Sequence, residues 1–375
     1  SPIADGRVSP SSPHMSSTVS NRRKSRIRAP KGKESNNDDG TQVDNNSVRK
    51  GKGKGKAGTK KKARAANTDT PAPLGKPQLR DFVLNTCKTG LAGLTAEFNE
   101  IKAQTQAIGN TPKSAFDANP TKNRYKDVYC VDEDRVVLTY PPGTNDYIHA
   151  NYVNIPDGRK YICTQGPIAT TIDDFWRMIW QEKCRSIVML CNICEKGKKK
   201  CEQYWPENIG QEQTNGTLTV KSVEKSEFEK VMTVTKITMS DGKDNHELEH
   251  IQWNNWPDRG IPQNAVTCFE LLRKLRRLSP TVIHCSAGIG RTGSIVCLDV
   301  ILVRLMKGET GVTLKQSVLD LRSKRHGSVQ MDIQYIFIAR ALAGLAIQRG
   351  AVKEDEVKEF ITTYDEHCTA KGFFS

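Results

Sequence analysis

Aromatic side chains are absent from the first 81 residues of this 375-residue chain, and the earliest is Phe82. Acidic residues are also scarce there. Residues 1–76 hold 6 Asp and Glu against 18 Lys and Arg, so +12 of the net charge of +15 lies in this segment. Such a segment buries too little apolar surface to offset the entropy that folding costs. We predict a basic, disordered N-terminal arm over residues 1–78 and exclude a second folded domain.

Long apolar runs are missing from the whole sequence. The apolar stretches, such as residues 187–191 and 337–347, are short or interrupted by charge, well below the ~20 residues that span a bilayer. The N-terminal residues lack the apolar core of a secretory signal peptide. The eleven cysteines are odd in number and widely spread, unlike the dense, even framework of a small secreted domain. We expect a protein of a reducing compartment, cytoplasmic, nuclear or both, without a transmembrane segment.

The basic arm contains three runs of positive charge, at residues 22–28, 50–56 and 60–62. The alternating Gly and Lys of the second run disfavour a helix, because glycine is a poor helix former and like charges repel. Such runs are typical of nuclear-import signals and of tethers to nucleic acid or acidic lipid. A solvated tail explains them equally well, since no base-reading element accompanies them. Both interpretations stay open.

From about residue 79 the sequence changes to the pattern of a packed domain. Short β-rich runs fall at residues 136–138, 161–163, 186–190, 217–220 and 231–239, and helical apolar spacing falls at residues 263–278, 291–306, 313–323 and 331–347. This mixture predicts an α/β (α+β) domain over residues 79–348, with a central twisted mixed β-sheet flanked by helices. Residues 349–375 are predicted as a C-terminal tail with a short solvated helix over residues 353–360.

The most informative stretch runs from Thr281 to Gly293, Thr-Val-Ile-His-Cys-Ser-Ala-Gly-Ile-Gly-Arg-Thr-Gly. A buried strand, a glycine-rich turn and a helix that opens at Arg291 form an anion site, because backbone N–H groups converge and the helix dipole adds positive potential. That field favours a thiolate and makes Cys285 a nucleophile, and Arg291 supplies a planar fork for two phosphoryl oxygens. The sequence predicts a Cys-x5-Arg phosphate loop between a strand and a helix.

Residues 284–293 resemble the signature loop of the tyrosine-specific protein tyrosine phosphatases, and further motifs of that family occur in the expected order. These are Asn123-Arg124-Tyr125-Lys126-Asp127-Val128, residues 147–153, Gln165-Gly166-Pro167, the loop from Glu195 through Lys200 to Pro206, Trp256-Pro257-Asp258, and Gln330 with Gln334. The resemblance covers residues 80–348. It implies the family's catalytic domain, hydrolysis of phosphotyrosine in proteins through a cysteinyl-phosphate, and no cofactor or metal.

The resemblance implies a role for each catalytic residue. Cys285 attacks phosphorus in line, while Arg291 stabilises charge that develops on the equatorial oxygens. Asp258 protonates the leaving tyrosine oxygen and then acts as a base toward water, because a phenolate is a poor leaving group. The remaining members of this set are Gln330 and Gln334, which orient the water, and Thr292, which assists departure of the thiolate.

The resemblance also implies how substrate is held. Tyr125 at the rim stacks on the phosphotyrosine ring and makes a slot too deep for phosphoserine. Asp127 holds the peptide backbone, and Lys126 favours acidic neighbours. The amides that receive the phosphate belong to Ser286, Ala287, Gly288, Ile289, Gly290 and Arg291. Supporting residues are His284, which tunes the thiol, Glu195, which pairs with Arg291, Lys200, which approaches the acid loop, and Trp256 in that loop.

One residue departs from the family pattern. Arg259 follows Trp-Pro-Asp, where the family commonly has an aromatic residue or His. It is compatible with weaker ring packing, slower loop closure or an added anion contact, and it motivates an alternative, a catalytically weak phosphotyrosine-binding pseudo-phosphatase or scaffold. Dual-specificity and phosphoinositide phosphatases share only Cys-x5-Arg, which argues against both. We expect a monomer acting on phosphotyrosyl proteins, with an anionic surface as a further partner of the arm.

Two other clusters indicate a metal only weakly. Cys191-x-x-Cys194 has Cys184 and Cys201 near it in sequence, but these residues belong to a strand end, a helix end and a loop. The second cluster is the pair His246 and His250. Since residues 247–253 favour a strand, we expect this pair to be exposed, and we predict no metal site.

Overall fold

A computed structural model describes residues 75–106 and 111–373, so the predicted basic arm lies outside the described residues except for its last four positions. Its α-helices are α1 (Lys76–Gln106), α2 (Ser114–Ala118), α3 (Ile172–Gln181), α4 (Ala265–Leu275), α5 (Arg291–Met306), α6 (Leu314–Lys324), α7 (Asp332–Gln348) and α8 (Lys358–Ala370). Its strands are β1 (Arg135–Val137), β2 (Tyr147–Asn154), β3 (Lys160–Thr164), β4 (Ser186–Met189), β5 (Cys194–Glu195), β6 (Lys198–Lys199), β7 (Glu212–Asn215), β8 (Leu218–Phe228), β9 (Met232–Ser240), β10 (Asn245–Trp253) and β11 (Thr281–His284).

The centre of the fold is a nine-stranded mixed sheet in the order β1-β2-β3-β11-β4-β10-β9-β8-β7. Strands β3, β11, β4 and β10 pair in parallel, and the outer neighbours pair antiparallel. The two middle parallel strands, β11 and β4, are buried at every position, as expected where helices cover both faces. The prediction of a central mixed sheet flanked by helices is confirmed, and so is the phosphate loop between strand β11 and helix α5.

Helix α5 shows why the site is rigid. Nearly all of its residues are buried, from Arg291 at its first position to Leu305 near its end. A helix that is apolar on all sides belongs to the centre of a core rather than to a surface. The chain that follows the nucleophile is therefore fixed by packing along its whole length. Among the described residues, no helix is both long enough and apolar enough to cross a bilayer.

The C-terminal segment differs from the sequence-based expectation. Helix α8 lies beyond residues 353–360 for most of its length, and it is not solvated, because Phe360, Tyr364 and Cys368 are buried in the main core. These side chains are four residues apart and form one apolar stripe, which the many Glu and Lys residues before it obscure in the sequence. The packed domain thus continues past residue 348, and at its other end helix α1 begins at Lys76.

The expectation that His246 and His250 are exposed is wrong. Both lie on β10 on the same face as the buried Leu248, since side chains two apart in a strand share a face. His250 is fully buried and stacks on Trp205 with ring centroids 4.3 Å apart. His246 is half-buried, and its Nε2 lies 2.6 Å from the carbonyl oxygen of Cys184.

Candidate active site

Four loops that leave the carboxyl ends of the parallel strands meet at one edge of the sheet. They carry Gln165 after β3, Glu195 after β4, Asp258 after β10 and Cys285 after β11. Ligands bind at this edge in open α/β sheets, because the strand ends and the helix N-termini converge there. The segments after β4, β10 and β11 line a cavity of about 580 Å³. The cavity contains side chains from most of the sequence motifs described above.

The loop after β11 wraps around the thiol of Cys285, which is 4% exposed. The backbone N–H of Gly288 donates to Sγ of Cys285 over 3.2 Å. Gly288 has φ of +70°, and a Cβ atom there would lie 1.9 Å from the carbonyl oxygen of Thr164. A Cβ on Gly293 would lie 2.5 Å from the backbone nitrogen of Val329. Both glycines are therefore required, one for the turn itself and one for the approach of helix α5.

A buried cation holds the loop in its anion-binding form. The guanidinium of Arg325 donates to the carbonyl oxygens of Ala287, at 3.1 Å, and Gly288, at 3.2 Å. Its other contacts are Oδ1 of Asn151, at 2.9 Å, and Nδ1 of His149, at 3.0 Å. Because the loop carbonyls are held by Arg325, the loop amides are free to face the cavity. Our sequence reasoning missed Arg325, although an Arg at the helical spacing of Val318 and Leu321 was a detectable signal.

The environment of Cys285 favours the thiolate. Burial raises the pKa of this thiol, but the charge of Arg291, the Thr292 side chain and the amides of Thr292 and Gly288 outweigh burial and leave the pKa below its ordinary value. The hydroxyl of Thr292 is buried and has no other hydrogen-bond partner among the described residues. For other cysteines of the core, burial outweighs the effect of nearby charges. It raises the pKa of Cys163 and of Cys297 to about 12.

Three ion pairs fix the charged groups around the thiol. Arg291 is 2% exposed and bonds both oxygens of Glu195, at 2.7 and 3.0 Å, which orients its planar fork. Nζ of Lys200 lies 2.5 Å from Oδ2 of Asp258, and Nη2 of Arg291 lies 3.4 Å from Oδ1 of the same carboxylate. Burial raises the pKa of Asp258, but Lys200 and Arg291 together outweigh this effect and leave the pKa below its usual value.

The loop that carries Asp258 is held against the cavity. Nη1 of Arg291 donates to the carbonyl oxygen of Trp256 over 2.9 Å, and the buried indole of Trp256 donates to the carbonyl oxygen of Gly260 over 3.1 Å. The amide nitrogen of Gln334 reaches the same Gly260 oxygen at 3.3 Å. The structure thereby brings Gln334 from helix α7 to the acid loop. The side chain of Gln330 also lines the cavity, beside Gly290.

The segment of residues 123–127 contributes Tyr125 and Asp127 to the wall of the cavity. The hydroxyl of Tyr125 lies 2.9 Å from Oγ of Ser286, which itself donates to the carbonyl oxygen of Lys200. Arg124 anchors this wall by donating to the carbonyl oxygens of Gly166, at 2.8 Å, and Pro167, at 2.6 Å. Asp127 also lines the cavity, whereas Lys126 is exposed and does not. Of the predicted substrate-binding side chains, the structure thus brings all but Lys126 to the cavity or to the loop beneath it.

A chain of three hydrogen-bonded side chains lies behind Cys285. The hydroxyl of Tyr204 lies 2.7 Å from Nε2 of His250 and 2.8 Å from Nε2 of His284, while Nδ1 of His284 lies 3.1 Å from the carbonyl oxygen of Cys285. A carbonyl oxygen only accepts, so Nδ1 of His284 carries a proton. Burial lowers the pKa of His250 to about 3 and keeps it neutral. With Nε2 of His284 as an acceptor, the three hydrogen bonds run in one direction. His250 donates to Tyr204, Tyr204 donates to His284, and His284 donates to the carbonyl oxygen of Cys285.

We expect Tyr204→Phe to destabilise the protein by about 1–3 kcal/mol, because it leaves two buried imidazole nitrogens without a partner. The measurement is urea unfolding at constant pH. Tyr152→Phe is the matched control, since its hydroxyl is only half-buried and donates to the Glu182 carboxylate. Equal stability losses in the two variants would contradict the hydrogen-bond chain described here. Our sequence reasoning missed the role of Tyr204 and His250, because their contact joins residues 46 positions apart.

Across residues 75–106 and 111–373, no three His, Cys, Asp or Glu side chains are grouped so as to hold a metal ion. All eleven cysteines are free thiols. The chemistry available at the cavity is that of a thiol of lowered pKa, a fixed guanidinium, a carboxylate and converging amides. This set fits nucleophilic attack on a tetrahedral, doubly charged oxyanion ester.

The protein-tyrosine phosphatase family model matches residues 119–344. The chain is 38% identical over 265 residues to the Lar-like tyrosine-protein phosphatase of Caenorhabditis elegans. The match covers 67% of this chain and 12% of that protein. It is 34% identical over 290 residues to human tyrosine-protein phosphatase non-receptor type 9, covering 70% of this chain and 48% of that protein. The chain therefore spans less than half the length of either relative.

Solved structures give the same result. The catalytic domain of human protein tyrosine phosphatase non-receptor type 18 aligns with a TM-score of 0.65 and 31% identity, over 70% of this chain and 99% of that one. The type 18 protein in complex with HER2 phosphopeptides aligns with a TM-score of 0.67 and 30% identity, over 72% and 99% of the two chains. The fold, the motifs in their order and these similarities agree, and the chain belongs to the protein-tyrosine phosphatase family.

Proposed function

We propose that this protein hydrolyses phosphotyrosine in proteins through a cysteinyl-phosphate intermediate. The observation that carries the proposal is the meeting, in one cavity, of a thiol with a lowered pKa, the fixed guanidinium of Arg291 and the carboxylate of Asp258. The relative bound to phosphopeptides supports the same substrate class.

The reaction begins with attack of the Cys285 thiolate on phosphorus. Arg291 and the loop amides hold the three non-bridging oxygens, and they stabilise the charge because Arg325 and Glu195 have already oriented them. The bond from phosphorus to the tyrosine oxygen breaks as the bond to sulfur forms. Asp258 donates its proton to the departing oxygen, so that neutral tyrosine leaves.

Proton donation requires Asp258 to be protonated when substrate is bound. In the free cavity Lys200 and Arg291 lower the pKa of this carboxyl group. A phosphoryl dianion on Arg291 neutralises that charge and places negative charge beside Asp258, and both changes raise its pKa. In the second step water attacks phosphorus, the carboxylate of Asp258 takes its proton, and the sulfur leaves as a thiolate. Gln330 and Gln334, whose side chains line the cavity, orient this water.

The side chain of Tyr125 supports selection of phosphotyrosine over phosphoserine. The hydrogen bond between its hydroxyl and Ser286 fixes the Tyr125 ring against the phosphate loop. A phosphate that reaches the thiol must therefore be carried on a side chain long enough to pass this ring. Hydrolysis of a phosphotyrosyl peptide, a phosphoseryl peptide and a phosphoinositide, each assayed in EDTA, tests the proposal. Activity on the first alone is the expected result, and no activity on any of them would overturn it.

The alternative of a phosphotyrosine-binding pseudo-phosphatase rests on Arg259. This residue is exposed at the cavity mouth with φ of +56°, and its position leaves the neighbouring Asp258 in contact with Arg291. Nothing in the geometry of the three catalytic groups favours loss of turnover. Arg259→Phe discriminates between the two functions. A rise in kcat of more than about 100-fold would show that Arg259 impairs the native chemistry and would favour the alternative.

We expect mild peroxide to inactivate the enzyme through Cys285, because a thiolate is oxidised to sulfenic acid far faster than a thiol. A thiol reductant should restore activity, and bound phosphate or vanadate should slow the loss. Mass spectrometry of the oxidised site provides the measurement. The fully buried Cys163, whose pKa is raised, serves as the internal reference. Oxidation of Cys163 before Cys285 would contradict the electrostatic account of the loop.

We further propose that the basic arm binds an anionic surface, nucleic acid or acidic lipid, and directs the protein to the nucleus. The support is the charge of +12 in residues 1–76. Removal of residues 1–74 should leave hydrolysis of a small phosphotyrosyl peptide unchanged within twofold, because the cavity lies entirely within the later residues. Polyanion binding should weaken and lose its steep salt dependence. Unchanged localisation and unchanged polyanion binding would together favour a solvated tail.

A further inference from the structure

A second cavity, which we call the rear cavity, lies over strands β8, β9 and β10 and has a volume of about 290 Å³. The strand register aligns Lys225, Thr235 and His250 in one row, and directly opposite residues share a face of the sheet. Further lining comes from the segments of residues 192–194 and 203–207. The rear cavity shares no lining residue with the catalytic cavity.

The rear cavity contains an imidazole with a nitrogen to spare. His250 is 1% exposed, and its hydrogen bond to Tyr204 is the ring's only one among the described residues. Since Nε2 donates in that bond and burial keeps the ring neutral, Nδ1 is an unprotonated acceptor. The ring of Trp205, which stacks on His250, also lines the cavity. This side of the cavity therefore offers an apolar surface with one acceptor for a donor of a ligand.

Two opposite charges at the rear cavity also have no protein partner. Lys225 and Glu207 both line it, and within the described part of the chain neither has an oppositely charged group at ion-pair distance. Both side chains are exposed. One ammonium group and one carboxylate complement a ligand that carries both charges. The lining thus fits a small zwitterion.

The rear cavity also contains the most accessible thiol of the chain. Of the eleven free cysteines nine are buried and one is half-buried, whereas Cys194 is exposed. Side chains alternate along β5, so Cys194 lines the rear cavity while Glu195, which holds Arg291, lines the catalytic cavity. Oε1 of Glu195 also accepts from the backbone N–H of Asn192, another residue of the rear cavity. Residues 192–195 therefore form a wall shared by the two cavities.

We propose that Cys194 forms a mixed disulfide with a small zwitterionic thiol of the glutathione class, and that the rear cavity holds this adduct. The thiol of Cys194 loses its proton to water, and its sulfur attacks one sulfur of the oxidised, disulfide form of the ligand. The old S–S bond breaks as the new one forms, and the departing thiolate takes up a proton. The ammonium group of the bound half is the donor for His250 and Glu207, and its carboxylate pairs with Lys225.

The adduct lowers turnover through the shared wall. Glu195 orients Arg291 through both carboxylate oxygens, at 2.7 and 3.0 Å, and it directly follows the modified residue. A shift of β5 by the adduct turns the guanidinium away from the phosphoryl oxygens, and such misplacement is costly in the transition state. This consequence rests on the proposed function, whereas formation of the adduct does not.

The first experiment maps the adduct on the full chain with Cys285→Ser, so that the catalytic thiol does not compete. After treatment with oxidised glutathione, mass spectrometry should show one glutathione per chain, on Cys194, and none in Cys194→Ser/Cys285→Ser. An adduct on the half-buried Cys87 instead of Cys194 would overturn the proposal.

The same chain tests whether the cavity recognises the ligand. Its rate with oxidised glutathione is compared with that for uncharged bis(2-hydroxyethyl) disulfide, each divided by the rate for a free peptide thiol. We expect a ratio of at least fivefold, falling below twofold in Glu207→Gln/Lys225→Gln. Glu212→Gln/Lys221→Gln, an ion pair outside the rear cavity, is the matched control and should keep the ratio. Equal normalised rates would show an exposed thiol without a site.

The second experiment measures the effect on turnover. The unchanged chain is treated while vanadate protects Cys285, and the vanadate is then removed with EDTA. We expect kcat for a phosphotyrosyl peptide to fall at least fivefold and to recover in dithiothreitol. Cys194→Ser should retain its basal kcat within twofold and resist the treatment. An adduct on Cys194 that leaves kcat within twofold would overturn the shared wall, whereas an untreated chain without activity would overturn the proposed function alone.

Discussion

Replacement of Cys285 by serine is expected to reduce kcat for a phosphotyrosyl peptide by at least about 10⁴-fold. The loop lowers the pKa of the Cys285 thiol and so favours the thiolate, but a serine hydroxyl starts several units higher and stays protonated in the same field. The guanidinium of Arg291 and the amides remain in place, because Glu195 and Arg325 hold them independently of the sulfur atom. Phosphate release measures turnover, and fluorescence polarisation of a labelled phosphopeptide measures binding.

Binding should therefore survive the loss of turnover in Cys285→Ser. Cys297→Ser is the matched control, since Cys297 is a fully buried thiol on helix α5, outside the cavity, whose pKa burial raises to about 12. We expect this control to lose stability and to retain turnover. Hydrolysis by Cys285→Ser at a rate within tenfold of the unchanged chain would refute the covalent mechanism. Loss of both binding and folding would instead show that the sulfur supports the loop itself.

The second large effect is expected from Asp258→Ala, which should lower kcat for a phosphotyrosyl peptide by about 10²–10⁴-fold. The size of the loss depends on the leaving group. The phenolate of tyrosine needs a proton at the moment of departure, whereas p-nitrophenolate leaves readily without one. We therefore expect a loss at least tenfold smaller for p-nitrophenyl phosphate, measured as kcat on both substrates at the same pH.

Substrate binding should not weaken in Asp258→Ala. The carboxylate contributes negative charge near the phosphate site, so its removal leaves Lys200 and Arg291 fully available to the phosphoryl group. Asp320→Ala on helix α6, an exposed carboxylate outside the cavity, is the control and should change neither constant more than twofold. Equal losses on the two substrates would argue that Asp258 acts by shaping the loop rather than by donating a proton.

The sequence alone predicted the chemical centre. The run from Thr281 to Gly293 encodes a strand, a glycine turn and a helix start in consecutive residues, and such local geometry is set by neighbours in the chain. Cys285 and Arg291 therefore had to face the same anion site. The alternation of strands and helices likewise predicted the mixed sheet, since each pattern is determined by burial on one face.

Contacts between distant residues were decided only by the tertiary structure. Arg325 holds the loop carbonyls from 37 or 38 residues away, and the chain from His250 through Tyr204 to His284 joins three separate elements. The prediction of a solvated C-terminal helix was wrong because the sequence does not show that the core has room for the apolar stripe of α8. The fold also decides which lysines of the β5–β6 turn are paired, since Lys199 contacts Glu202 whereas Lys196 and Lys198 have no carboxylate within ion-pair distance among the described residues. Whether a charged side chain is neutralised depends on which carboxylate the fold brings within reach, and a linear pattern does not specify that distance.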